Sequence, residues 1–239
     1  MARCALSDAS CGRIGRPCPS GRCLARQILR LHDRRWRDRL GLFAVEGEDA
    51  VAAATAEPVE LLRAGVEVEP KLLAEVSTAA HPPRVMAVYR RDDLPAFAAR
   101  EVVLSLWGVS DPGNVGTLIR VADAFGAAVL LEPGCADPTG PKALRASVGS
   151  IWRVPLATRK ESNTVLQARR IGLVAHGGET LHRLDLRGPV TFLLGAERAG
   201  LPDGAERDVE ARIPIAGAES LNVAVAGAIA LYEWRRQNG

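Results

Sequence analysis

Short apolar runs, each bounded by glycine, proline or charge, recur in the second half of the chain at 102–106, 128–131, 171–175, 190–194 and 211–215. Runs without polar alternation predict strands covered on both faces, as in a parallel sheet. Between them the pattern predicts helices over 115–125, 142–147, 162–170 and 222–236. The last is apolar or small at almost every position from Val223 to Leu231, which predicts burial on more than one side. The first hundred residues carry a weaker version of the same alternation. An arginine-rich amphipathic helix is predicted over 24–40, then strand 42–45, helix 49–56, strand 59–62, helix 70–78 and strand 85–89. Strands alternating with helices predict an α/β protein, and the change of texture near residue 100 predicts two domains.

Charge changes this picture at one end only. The net charge is +3, but residues 1–40 hold ten Arg against three Asp, so the arm carries +7 and the remainder −4. A basic arm suits an anionic polymer such as nucleic acid; it equally suits a solvated tail in a chain that uses arginine throughout and has only three Lys. Cys4, Cys11, Cys18 and Cys23 also lie in this arm, without the Cys-x-x-Cys spacing of most zinc sites and without matching histidines. Residues 1–23 are therefore expected to be an irregular arm with reduced thiols, and no metal site is expected. No apolar run approaches the roughly 20 residues that span a bilayer, and none follows the N-terminal arginines as a secretory signal would. A soluble, cytoplasmic protein is expected.

Three segments concentrate the chemistry. Asp111-Pro112-Gly113-Asn114-Val115-Gly116 follows a predicted strand and enters a helix, where open α/β sheets bind ligands. Asn114 is a candidate helix cap or ligand contact. Arg120 lies on an otherwise apolar helix, either snorkelling to solvent or presenting its fork to a phosphate. Leu194-Gly195-Ala196-Glu197-Arg198-Ala199-Gly200-Leu201 leads from a strand into a glycine-punctuated loop, in which Glu197 orients an arginine or anchors an amine, or pairs locally with Arg198 or Arg207. Ile213-Pro214-Ile215 is followed by a loop and by Ser220-Leu221-Asn222-Val223, which opens the small-residue helix with a hydroxyl and an amide. Other signatures fail. The stretch from Gly134 to Lys142 has the wrong glycine spacing for a P-loop, and neither a Gly-x-Gly-x-x-Gly nor a Gly-x-Ser-x-Gly motif is present.

Taken in order, the three segments resemble the motifs of the SpoU/TrmH branch of the SPOUT RNA methyltransferases, over residues 102–239. The stretch Lys142-Ala143-Leu144-Arg145-Ala146-Ser147-Val148-Gly149-Ser150 resembles that family's linking element. Residues 24–98, with Phe43-Ala44-Val45-Glu46-Gly47, resemble the small L30e-like domain that binds substrate RNA in many members. The resemblance implies a parallel sheet tied in a deep trefoil knot, and a homodimer joined through the C-terminal domain. It implies S-adenosylmethionine as cofactor, lined by Leu194, Gly195, Ile213, Ile215 and Leu221. It implies Arg120 as the central catalytic residue, with Asn114, Glu197, Ser220 and Asn222 around it, and methylation of a ribose 2′-hydroxyl. Ribosomal RNA is favoured over transfer RNA because of the separate N-terminal domain. A knotted RNA-binding or ribosome-associated protein without catalysis is the alternative, and a base-nitrogen methyltransferase is disfavoured by the motifs.

Overall fold

The structure, a computed structural model, describes residues 21–159 and 168–239. Residues 1–20 of the expected arm, with Cys4, Cys11 and Cys18, and most of the helix expected over 162–170 lie outside the described residues; Arg169 and Arg170 open a strand instead. The chain divides into two units, Met1–Asp93 with Thr139–Pro141, and Leu94–Pro138 with Lys142–Gly239. Phe97 packs against Val103, Ala128, Leu130 and Ala157, so the segment after Asp93 goes with the second unit.

In the first unit, helices α1 (Gly21–Leu31) and α2 (Arg34–Leu40) replace the single helix expected over 24–40. The break has a local cause. Asp33 takes an extended conformation and its carboxylate accepts from the Arg35 N–H at 2.9 Å, starting a new helix. Arg37, buried on α2, donates to the carbonyls of Leu31 and His32 at 2.7 and 2.9 Å and so satisfies the end of α1. Three antiparallel strands follow in the order β1-β3-β2: β1 (Leu42–Glu46), β2 (Glu60–Arg63) and β3 (Val85–Arg90). Leu42 and Ala44 join Ile28, Leu31, Leu73 and Met86 in one cluster, while the intervening Phe43 pairs with Tyr89, ring centroids 6.0 Å apart. Both are buried, so the unbroken apolar run is explained by cover on both faces. Helix α3 (Glu48–Ala52) is shorter than expected, and α4 (Pro70–Val76) is followed by Ser77 and Thr78. The hydroxyls of these two donate to the Glu46 carboxylate at 2.8 and 2.7 Å, tying the loop after α4 to the end of β1.

The second unit is built on a seven-stranded, wholly parallel sheet in the order β6-β5-β4-β9-β7-β10-β8. Its strands are β4 (Val102–Leu106), β5 (Ala128–Leu131), β6 (Leu156–Thr158), β7 (Arg169–Leu173), β8 (Glu179–Thr180), β9 (Val190–Leu194) and β10 (Val209–Arg212). Every residue of β4, β5 and β9 is buried. Strand β10 ends at Arg212, three residues before the expected end, because Pro214 has no N–H to continue a ladder. The helices are α5 (Pro112–Phe125), α6 (Pro141–Ser147) and α7 (Val223–Asn238). Glycine permits their close approach. A Cβ on Gly227 of α7 would stand 2.5 Å from Leu118 of α5 and 3.0 Å from Leu194 of β9. A Cβ on Gly116 would overlap the Ala143 carbonyl of α6.

The end of α7 is fastened to the loop before β9. Gln237 accepts from Leu186 N–H at 2.9 Å and donates to the Leu184 carbonyl at 3.1 Å; Asn238 accepts from Gly188 N–H at 3.1 Å and donates to the Leu186 carbonyl at 3.0 Å. With these four bonds at about 0.5–1 kcal/mol each, the lower half of the usual range, the double substitution Gln237→Ala/Asn238→Ala is expected to cost about 2–4 kcal/mol. Thermal unfolding should show this as a Tm lower by roughly 5–10 °C; an unchanged Tm would mean the fastening is idle.

Candidate functional site

The loops that follow β4, β9 and β10 carry the three sequence segments, all on the second unit. Asp111, not Asn114, caps α5: its carboxylate accepts from the Asn114 N–H at 3.0 Å. Its other oxygen accepts from Lys142 Nζ at 2.6 Å, and this ammonium, with the backbone N–H, holds the Asp111 carboxyl below its usual range. Asn114 is thereby freed for a different task. Its side-chain N–H donates to the Glu197 carboxylate, and its carbonyl oxygen accepts from Asn222 Nδ2 at 3.0 Å. Asn222 in turn caps α7, its oxygen accepting from the N–H groups of Ala224 and Val225 at 2.9 and 3.3 Å.

One directional chain of hydrogen bonds therefore joins the three segments, from the start of α7 through α5 to the loop after β9. Each amide has its orientation fixed, because reversing Asn222 would present a donor to the helix N–H groups. Removal of this cap is expected to matter twice. Asn222→Ala should cost about 1 kcal/mol of stability through the cap alone and should also release Asn114. The check is thermal unfolding together with cofactor titration, where an unchanged Tm would contradict the capping role.

The loop after β9 closes on itself. Ala196 and Gly200 exchange backbone hydrogen bonds at 3.1 and 2.8 Å, and Gly200 has φ +68°. A Cβ on Gly195 would overlap the Gly200 carbonyl and the Leu201 nitrogen, so only glycine fits. Glu197 does not take the arginine partners considered from sequence: Arg207 pairs with Glu210 at 2.7 Å, and Arg198 forms no ion pair among the described residues.

Arg120 and Ser220 stand apart from this chain. Both are exposed, and their side chains make no hydrogen bond with the described residues. Arg120 lies six residues beyond Asn114, about 9 Å along the axis of α5. Leu194 is buried at the end of β9, Gly195, Ile213 and Leu221 are half-buried, and Ile215 is 37% exposed. From 216 to 221 the backbone makes no hydrogen bond with the described residues. Half-buried aliphatic side chains beside open backbone groups can hold the plane of a heterocycle and bond its edge. Sequence reading missed Trp107, whose N–H donates to the Leu194 carbonyl at 2.8 Å and whose indole N–H is buried without a partner among the described residues. Its place directly after β4 was the one available signal.

Comparison with known proteins points to the same part of the chain. The model of the SpoU rRNA Methylase family matches residues 101–232, the unit that carries all three loops. The chain belongs to the SpoU family. It is 31% identical over 233 residues to the 23S rRNA (guanosine(2553)-2′-O)-methyltransferase RlmP of Bacillus subtilis, covering 86% of this chain and 93% of that protein. Among solved structures, it is similar to the SpoU methyltransferase AviRb of Streptomyces viridochromogenes in complex with AdoMet. That match has TM-score 0.77 and 29% identity, and covers 90% of this chain and 97% of that one. It is also similar to an AdoMet-bound rRNA methyltransferase from Sinorhizobium meliloti, with TM-score 0.74 and 29% identity over 89% and 94% of the two chains. The α/β expectation holds in the parallel sheet.

Proposed function

We propose that this chain methylates a ribose 2′-hydroxyl of ribosomal RNA, using S-adenosylmethionine held by the loops after β9 and β10. The observation that carries the proposal is the hydrogen-bond chain Asn222–Asn114–Glu197, which ties together the three loops carrying the motifs that resemble the family's. Ile213, Ile215 and Leu221 offer apolar contact, and Gly195 and the backbone of 216–221 offer donors and acceptors, which fits an adenosine and its aliphatic tail. The bound cofactor supplies a sulfonium methyl group, open to attack by the ribose oxygen.

The chain's own residues must place that oxygen. Arginine is a poor general base, so Arg120 takes another role. As an exposed, unpaired guanidinium it grips a phosphate beside the target ribose, aligns the hydroxyl, and offsets negative charge on the oxygen as its proton passes to solvent water. Ser220, also unpaired, holds the ribose or the cofactor carboxylate. Asn114, Glu197 and Asn222 keep the surrounding loops in register.

The first unit acts as the L30e-like RNA-binding domain, and the sheet order, with β9 between β4 and β7, supports a trefoil knot in the second. Val225 and Tyr232, 47% and 59% exposed and seven residues apart on α7, support a homodimer through that helix. None of the described helices is long and apolar enough to cross a membrane. We place the protein in the cytoplasm with its RNA. Transfer of labelled methyl to separate unmodified ribosomal and transfer RNA pools tests the substrate class. Label in ribosomal RNA is expected; label confined to transfer RNA would overturn that choice.

A further inference from the structure

The helices α1 and α2 carry charge that folding leaves unused. Arg26 and Arg30 are four residues apart on α1, and Arg35 and Arg39 are four apart on α2, so each pair shares a helix face. All four are exposed, and none forms an ion pair among the described residues. Their neighbours differ: Arg34 pairs with Asp38, and Arg37 is buried and spent on the α1 carbonyls. The two free faces meet at Trp36. The guanidinium carbons of Arg30 and Arg39 stand over its ring, 4.9 and 5.3 Å from the centroid. An arginine resting on an aromatic ring keeps its charge and its N–H fork while losing side-chain freedom before any ligand arrives. Repeating charge held at fixed positions suits a polymer of phosphates better than a single small anion.

We infer that the α1–α2 face is a phosphate-backbone contact for RNA, with Trp36 holding Arg30 and Arg39 in place. The inference rests on RNA being the substrate, and it assigns a binding surface separate from the methyl-transfer residues. The face reads charge and shape rather than sequence, since its groups are arginines aimed at backbone.

The test measures affinity for an unmodified 23S ribosomal RNA transcript at several salt concentrations. Arg26→Ala/Arg30→Ala/Arg35→Ala/Arg39→Ala is expected to bind at least about tenfold more weakly near 0.1 M salt. The slope of log affinity against log salt should flatten by about 3, at roughly 0.7–0.9 per phosphate contact. Trp36→Ala keeps every charge, so it should weaken binding severalfold while leaving the slope nearly unchanged. AdoMet affinity and Tm of the quadruple variant should match the parent, which separates lost contact from lost folding. An unchanged affinity and slope would overturn the inference. So would binding of the parent to phosphatidylserine vesicles through these arginines with no effect on RNA. If the quadruple variant loses RNA binding and the parent labels no RNA, the surface stands and the methyltransferase reading fails. If the variant methylates RNA with an unchanged KM, the reverse holds.

Discussion

Arg120→Ala is expected to lower methyl transfer to ribosomal RNA by about 10²–10³-fold, the usual effect of removing one preorganised charge-stabilising group. AdoMet affinity should stay within about twofold, because Arg120 lies on α5 while the proposed cofactor loops follow β9 and β10. Stability should barely change, since the side chain is exposed and has no partner among the described residues to lose. Arg120→Lys separates two roles. A lysine keeps the charge but not the planar fork, so it should recover only part of the lost rate. Full activity in Arg120→Lys would show that a point charge suffices, and full activity in Arg120→Ala would remove Arg120 from the mechanism.

Gly195→Ala is the second large effect, and it acts on binding. The added methyl would overlap the Gly200 carbonyl and the Leu201 nitrogen, which are backbone atoms with no rotamer to yield. The turn closed by Ala196 and Gly200 would have to open, carrying Glu197 away from Asn114. Overpacking of this kind costs about 1–3 kcal/mol. Calorimetry should show AdoMet affinity lower by at least about tenfold, accompanied by a reduced Tm. Unchanged affinity would mean that the loop after β9 does not hold the cofactor.

Much of the fold was legible because burial on both faces writes itself as an uninterrupted apolar run. Strands β4, β5 and β9 have the expected bounds for that reason. The single helix expected over 24–40 fails where Asp33 caps a new helix, a polar detail hidden among arginines. Strand β10 lies two to three residues earlier than expected because a run of isoleucines outweighed the proline between them. At the site, motif order located the loops but not their bonds. Asn114 looked like a cap, yet Asp111 three residues earlier fills that role and leaves Asn114 to join loops 83 and 108 residues away in sequence. Such partners are set by the crossing of helices and strands, which local pattern does not encode. Trp107 carries no motif and emerged only through its unpartnered indole N–H.

The position of the transferred methyl tests the central claim most directly. Unmodified 23S ribosomal RNA, incubated with the protein and methyl-labelled S-adenosylmethionine, would be hydrolysed in alkali and its labelled products separated. A methylated 2′-oxygen cannot attack the adjoining phosphate, so label is expected in an alkali-resistant dinucleotide. It should be absent from a parallel reaction with Arg120→Ala. Label released as a methylated base on a mononucleotide would contradict ribose methylation, and no label despite bound cofactor would contradict catalysis itself.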